Sequence, residues 1–482
     1  MDPSVDALKF IIVGGGIAGL TCAYLLKQAG HQVVVLEKSP LAEQSAIHHG
    51  GVKIPPYMTR LMKELPGTEE LLKTKAANST GIFFYQCNDP AELVGKLIYA
   101  EEIIKDLGAD FYLIPHKDLH NYLLALCNNA AVEFRYDFEV EDIISDRPGP
   151  AVVGKSGESV SGDIVIGADG KNSVTRKVLL MERDEAKKPD VDDANDSVGN
   201  PAFVPLKALA GATLSIPVSL LQSDPELASL LTEGNYRALY MGNGSNVAMA
   251  RYGPDLYLLE FTYPGKPLES DDKDEDWLSS GTPTKTVLEK VEEYDHRIKK
   301  LLQLVPRCHW NIQNVHNLSR YVSNLNQVVV IGDAAHAIYI NGSNNTAAAF
   351  EDAFTLGRLF SILSPSDSKS NTSFLLDGYQ HIRQKRTKAL EKSGTDNMVL
   401  LGLPPGPERD GRNNGFRLTL HLEGADDATL ERVWKNYIDR MHYESRDEVS
   451  EWWMNWARPG GNFETSSWVR IPGAIATGNV SN

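Results

Sequence analysis

Three times along the chain a short apolar run stops on glycine and then gives way to a helical spacing of apolar positions. In the first, Phe10 to Val13 runs into Gly14-Gly15-Gly16-Ile17-Ala18-Gly19. An apolar-periodic segment follows (Ala18, Leu20, Tyr24, Leu25), then a helix-ending Gly30 and a second run, Val33 to Leu36, closed by Glu37. That pattern predicts strand, tight turn, helix, strand, a βαβ unit. In the second, Val165-Ile166-Gly167 leads into Ala168-Asp169-Gly170 and a helix start carrying Ser173 and Arg176. In the third, Val328 to Ile331 ends on Gly332-Asp333, and Thr346 to Phe360 reads as a helix.

The intervening pattern is of other kinds. Ser39 to Pro56, with His48-His49-Gly50-Gly51 and two prolines, predicts a shaped loop, and Met58 to Leu72 a helix. Thr80 to Phe111 alternates short apolar runs with turns and predicts strands outside the first sheet. Leu119 to Cys127 then reads as an amphipathic helix and Val132 to Tyr136 as a strand. From Ala212 to Tyr263 the period becomes two, with strands over Tyr236 to Met241, Asn246 to Tyr252 and Leu256 to Phe261. Acid-rich loops are expected at Glu182 to Asn200 and Asp271 to Asp276. Val287 to Leu304 reads as a helix. A long helix with a basic run, Arg383 to Lys392, follows Pro365, and the rest is expected to be helical cover in which Trp452, Trp453 and Trp456 pack.

Composition narrows the function. The chain has 482 residues and a net charge of −16, with no compensating basic stripe, so nucleic acid is not an expected partner. No window approaches 18 uninterrupted apolar residues and the first nine residues make no signal peptide, so a cytoplasmic protein without a membrane span is expected. Four scattered cysteines and no histidine pair at ligand spacing predict no metal site.

In the first stretch each glycine has a physical task. Gly14 permits the turn, Gly16 lets a pyrophosphate approach the backbone, and Gly19 lets helix and strand pack closely. The helix N-terminus offers unpaired N–H groups to phosphate, and Glu37 would accept from the hydroxyls of an adenosine ribose. By itself the stretch specifies a dinucleotide, FAD or NAD. Asp169 and Asp333 put further acids at strand ends, where open α/β sheets bind ligands.

Together the three stretches resemble the single-component FAD-dependent aromatic hydroxylases, the group that includes salicylate hydroxylase and p-hydroxybenzoate hydroxylase. The carriers are the N-terminal fingerprint, Asp169-Gly170 with Ser173 and Arg176 at D-G-x-x-S-x-x-R spacing, and Gly332-Asp333 in VVVIGDAAHA, with a strand-rich segment between the last two. The resemblance implies an α/β fold with a Rossmann-type FAD-binding domain, a mixed-sheet substrate domain and a helical C-terminal part. The implied limits are 1–180 and 321–400 for the FAD-binding domain, 181–320 for the substrate domain, joined by strands from 80–112, and 401–482 for the C-terminal region.

It implies that Gly14, Gly16, Ala18, Gly19, Glu37 and Lys38 hold the ADP half of FAD and that Asp333, beside Gly332, binds the ribityl chain. Gly51, Lys117, Asp169, Gly170, Asn344, Asn345 and Thr346 complete the expected cofactor contacts. The implied reaction is reduction by NADPH or NADH, addition of O₂ at flavin C4a, and transfer of one oxygen atom to an aromatic, indole or polyketide-like substrate in secondary metabolism.

His48, His49, Tyr339, Asn341 and Asn344 are the candidate catalytic residues, with Tyr240 and Arg251 as looser substrate contacts. A monomer or weak homodimer is expected. The chain departs from the family where Lys117 replaces an arginine, where Ile340, Asn344 and Asn345 stand for proline and Gln-Gly beside the flavin, and where His48 to Gly51 replaces an Ala-Gly-Ile turn. The altered loop leaves open a flavoprotein that dehydrogenates, oxidises or cyclises without inserting oxygen, or a catalytically weak FAD-binding accessory protein.

Overall fold

The computed structural model describes residues 7–41, 50–145, 149–186, 208–231, 234–264, 282–314, 318–336, 344–422 and 427–456. The candidates His48, His49, Tyr339 and Asn341, the Ile340 position and the loop 271–276 lie outside them.

The three apolar runs become neighbours in one parallel sheet, in the spatial order Val328–Val330, Ile164–Gly167, Lys9–Val13, Gln32–Leu36, Glu133–Arg135. Covered on both faces, these strands need apolar residues at every position rather than at every second one. Phe10 to Ile12, Ile164 to Ile166 and Val328 to Val330 are accordingly all fully buried. The glycine turn opens the helix Ile17–Gln28, which lies against the helix Asn345–Ile362. Their approach is close enough that a Cβ on Gly357 would come within 2.6 Å of the Leu25 Cβ.

A second sheet of eight strands has the order Thr282–Pro283, Arg307–Asn314, Ala208–Pro217, Leu256–Pro264, Asn246–Tyr252, Tyr236–Met241, Gly81–Gln86, Glu92–Ile98. Alternation divides it into two faces. Ala238, Tyr240, Val247, Tyr257, Leu259 and Phe261 point to one side and form a separate core with Leu221, Ile298 and Leu301. Arg237, Leu239, Ala248, Ala250 and Glu260 point to the other, toward the parallel-sheet half of the molecule. One row across the sheet reads Glu260, Ala248, Leu239, Phe84.

Several local expectations are corrected. The stretch read as a loop to Pro56 ends in a strand, Gly51–Ile54, paired antiparallel with Tyr112–Pro115. Its glycines and prolines masked four residues of sheet. The Met58 to Leu72 helix is two, Pro56–Met62 and Thr68–Lys75, parted where Gly67 adopts φ +82°. Likewise Val287 to Leu304 is split into Lys285–Leu288 and His296–Leu304, the second capped by the Asp295 carboxylate accepting from the Arg297 N–H at 2.9 Å. Residues 182–186, read as loop, continue the helix Thr175–Ala186. Trp452 packs on Phe374, ring centroids 4.7 Å apart, but Trp456 is exposed. All four cysteines are buried and none is in a disulfide among the described residues, in which no helix is long and apolar enough to cross a membrane.

Candidate functional site

The carboxyl ends of the three central parallel strands converge on one cleft. A Cβ on Gly14 (φ +102°) would stand 2.5 Å from the Ala168 carbonyl oxygen, and one on Gly332 (φ +59°) 3.3 Å from the Ala18 Cβ. The three stretches therefore pack through glycine: a side chain at Gly14 would overlap the second turn, and one at Gly332 would crowd Ala349 and Ala18 in a positive-φ conformation that other residues rarely adopt. A Cβ on Gly19 would overlap the Gly14 carbonyl. At Gly16 it would meet nothing within 4 Å, so this backbone borders open space.

The helix beginning beside Gly16 has no side-chain cap, and neither has the helix Asn345–Ile362. Two positive helix-dipole ends thus edge the cleft. At the end of the second strand Glu37 is almost fully buried. One carboxylate oxygen accepts from the Gly15 N–H at 2.7 Å and the other from the Ser39 N–H at 2.8 Å. Each oxygen keeps a further lone pair for a ribose hydroxyl. Lys38 beside it is exposed.

The Asp169 carboxylate turns inward, accepting from the Ser173 hydroxyl at 2.6 Å and from the Thr175 N–H and hydroxyl at 3.0 and 3.1 Å. Its direct task is to shape the turn that starts the next helix, with Gly170 at φ +71° facing open space. Arg176, the last member of that spacing, donates to the Asp333 carbonyl at 3.1 Å and the Ala334 carbonyl at 3.3 Å. The second and third stretches are thereby locked together. The Asp333 side chain is exposed at the cleft, with the protein packed closely around its base. Desolvation by the surrounding protein pushes its carboxyl above the usual range, against the pull of His336, Lys171 and Arg176.

Beneath Asp333 lies a charge cluster that sequence reading missed. Fully buried Asp352 accepts from the Gly332 N–H at 2.8 Å, from His336 Nε2 at 2.7 Å and from Arg383 Nε at 2.6 Å. Arg383, also fully buried, bonds Glu351 at 2.8 Å, and Arg386 bonds Glu351 from the other side at 3.1 Å. Burial opposes charge on Asp352, His336, Arg383 and Arg386. The His336 and Arg383 charges nevertheless hold Asp352 below the usual range, and Asp352 holds His336 above its own. His120 was missed as well: it is buried, lies 2.9 Å from the Gly15 carbonyl through Nε2, and burial lowers its pKa, so the neutral ring donates there.

Lys117, at the first turn of the helix His116–Asn129, is exposed. A Cβ on Gly51 would overlap Tyr252 and come within 2.6 Å of Leu258, which gives that glycine a packing reason in the contact between the two sheets. Asn344 accepts from the Tyr57 hydroxyl at 2.8 Å, and Asn345 and Thr346 begin the helix that follows. No positive φ occurs at Asn345, so a side chain there costs no backbone strain.

Asn344 also lines a cavity of about 790 Å³ between the Glu260 face of the eight-stranded sheet and the helices Thr372–Leu401, Pro407–Arg417 and Asp427–Met441. Ile82, Phe84, Leu97, Leu239, Leu400 and Phe416 make its apolar wall, and Lys53, Arg237 and Glu260 are its buried charges. Tyr240 points into the other core and Arg251 donates to the Gly253 carbonyl at 3.0 Å, so these two looser candidates are displaced from the cavity by the register of their strands.

Residues 7–196 match the family described as FAD binding domain. FAD-dependent monooxygenase OpS4 of Beauveria bassiana is 24% identical over 87% of this chain and 90% of its own. A salicylate hydroxylase substrate complex superposes with a TM-score of 0.66 at 19% identity, covering 93% of this chain and 98% of that one. Klebsiella pneumoniae HpxO, solved with FAD and uric acid, gives 0.68 at 18% identity, covering 92% and 98%. The fold is that of the FAD-dependent hydroxylases, a parallel-sheet FAD-binding part with a mixed sheet and a helical C-terminal part, as the three stretches implied.

Proposed function

We propose that this protein is an FAD-dependent monooxygenase that uses NADPH or NADH and O₂ to hydroxylate or epoxidise an aromatic, indole or polyketide-like molecule in secondary metabolism. The observation that carries the reading is that one residue, Asn344, both opens the helix edging the cofactor cleft and lines the large cavity. A molecule in that cavity would lie against the far end of a dinucleotide held at the glycine turn.

The cleft fits FAD. The open backbone at Gly16 and the uncapped helix beside it suit the pyrophosphate, Glu37 the adenosine ribose, and Asp333 the ribityl hydroxyls. Bound FAD would supply the redox and oxygen chemistry, and the chain supplies position, electrostatics and exclusion of water. Asp352, by holding the Gly332 N–H and His336, fixes the turn that presents Asp333. Tyr57 fixes Asn344 at the junction with the cavity. Among the described residues there is a single parallel sheet, so the nicotinamide donor is taken to visit the same cleft. The protein is taken to act in the cytoplasm as a monomer or weak homodimer.

The test is turnover under ¹⁸O₂ with NADPH or NADH and a panel of phenols and indoles. One labelled atom per product molecule is expected. Product that gains no labelled oxygen would instead assign the chain to dehydrogenation or cyclisation on the same fold.

A further inference from the structure

The helix Pro407–Arg417 closes one wall of the cavity, where its Phe416 ring stacks on Phe84 of the strand Gly81–Gln86 with centroids 4.4 Å apart. Little else about this segment favours a helix. Its sequence, PERDGRNNGFR, contains Gly411 and Gly415, the weakest formers after proline, and Asn413 and Asn414 from the lower half of the scale, in a run too short to be stable alone. Short helices normally hold by burying an apolar stripe. Here the buried side chains are Arg412 and Asn413, and Phe416, the one large apolar residue, is half-buried. The two internal glycines have no steric task either: a Cβ on Gly411 or Gly415 would meet nothing within 4 Å, and neither has a positive φ. Gly406, just before the helix, does have one, φ +149°, and a Cβ there would also meet nothing. The chain can turn at Gly406 without displacing a neighbour.

Arg412 is the fastening. Its guanidinium donates to the Gln86 side-chain oxygen at 2.7 Å and to the Leu400 and Leu401 carbonyls at 2.8 and 3.2 Å, and Asn413 donates to the same Gln86 oxygen at 3.2 Å. Among the described residues none of the Arg412 partners is a carboxylate. Burial, helped by the neighbouring Arg409 charge, pushes its pKa down to about 10. The fastening therefore carries the desolvation cost of an uncompensated cation, which opening to water would return. Firm points lie on either side of the helix: the Gly402 carbonyl accepts from the Gly244 N–H at 2.8 Å, and the Thr419 hydroxyl accepts from the Lys96 N–H at 2.9 Å. Between them the Arg417–Glu92 pair is exposed and adds little. Few buried apolar contacts, weak intrinsic helicity and a costly latch are the marks of a segment that opens locally.

We propose that the helix Pro407–Arg417 is a gate, turning at Gly406 and latched by Arg412, through which an apolar substrate enters and leaves the cavity. The inference rests on the monooxygenase reading only in taking the cavity as the substrate site. Lifting the helix takes Phe416 off Phe84 and opens that wall. The same opening precedes entry and exit, and the gate is shut both before and after binding. It therefore sets the two rates together and leaves the affinity alone.

The test uses the FAD-loaded protein and N-phenyl-1-naphthylamine, a neutral apolar probe whose fluorescence rises when it leaves water, followed by stopped flow. Replacing an exposed helical glycine with alanine favours the helical form about fivefold, so the double variant Gly411→Ala, Gly415→Ala should slow probe association and dissociation together, each by about fivefold or more, with Kd unchanged. Arg412→Gln should speed both. Ala248→Trp, which puts an indole into the cavity wall, should remove the signal. Hydrogen exchange gives a readout without a ligand: amides of 407–417 should exchange faster than those of the helix Thr372–Leu401 in the wild type, and slow in the double variant. Probe rates untouched by either set of substitutions, exchange across 407–417 as slow as in Thr372–Leu401, no probe binding to the wild type, or binding that survives Ala248→Trp would each overturn the gate. Any of these beside retained ¹⁸O transfer would sink this inference alone. A gate that behaves as expected in a protein that transfers no ¹⁸O would sink the monooxygenase reading alone.

Discussion

Replacing Arg383 with methionine removes one cation from the buried cluster under Asp333 while keeping most of the side-chain volume. The wild-type guanidinium is fully buried and bonds Asp352 at 2.6 Å, Glu351 at 2.8 Å and the Ala348 carbonyl at 3.2 Å. Methionine would leave two adjacent buried carboxylates with only Arg386 and His336 to balance them. Breaking a buried pair by deleting one partner costs about 3–5 kcal/mol, because the remaining charge keeps its desolvation penalty. The assay is equilibrium urea unfolding followed by tryptophan fluorescence and far-UV circular dichroism. The midpoint should fall with the slope unchanged.

A pH series tests the cause. In the wild type, Asp352 is held below the ordinary aspartate value of 3.8, so its contribution is complete above that value and is lost as pH falls through the lower folded value. In the variant, burial without arginine raises the carboxyl pKa values. The deficit should be largest near neutrality and shrink as pH falls and the carboxyls take up protons. Adding Asp352→Asn and Glu351→Gln should recover much of the loss. A deficit below about 1 kcal/mol, the range of exposed pairs, or one independent of pH would refute the reasoning.

Other outcomes follow from the cleft. Gly16→Ala should leave urea stability within about 0.5 kcal/mol of wild type, since its Cβ meets nothing, yet weaken FAD binding measured by fluorescence titration. Gly19→Ala should instead destabilise the fold, since its Cβ would overlap the Gly14 carbonyl. Asp169→Ala, which removes three hydrogen bonds at the turn before the helix Thr175–Ala186, should cost about 1–2 kcal/mol in the same unfolding assay. His120 has a lowered pKa, so its neutral form contributes stability that is present above 6.5 and lost as pH falls toward the folded value. His120→Gln should flatten that part of the stability profile, measured at matched ionic strength.

The cleft was legible because its chemistry is local. Gly14, Gly16, Gly19 and Glu37 lie within one βαβ unit, and the Asp169–Ser173–Arg176 spacing closes on itself within one turn. The cavity was not, since Lys53 and Glu260 are brought together by two sheets and nothing in either neighbourhood announces the other. Lys53 was further hidden in a glycine- and proline-rich stretch whose strand pairs with residues 60 positions on. Arg383 stood at the head of a basic run, and such runs usually coat a solvated face. Its burial depends on the Glu351-Asp352 pair, set within an alanine-rich helix where the apolar pattern dominates. Tyr240 and Arg251 lie on strands of the right sheet, but period two gives a face without saying which face meets the cofactor side.

If the three strand ends form one flavin site, cofactor-free protein titrated with FAD must fill it. One FAD bound per chain is predicted, with visible absorbance that stays with the protein and an affinity reduced in Gly16→Ala at unchanged fold stability. A folded, cooperative, colourless protein that takes up no FAD would contradict it.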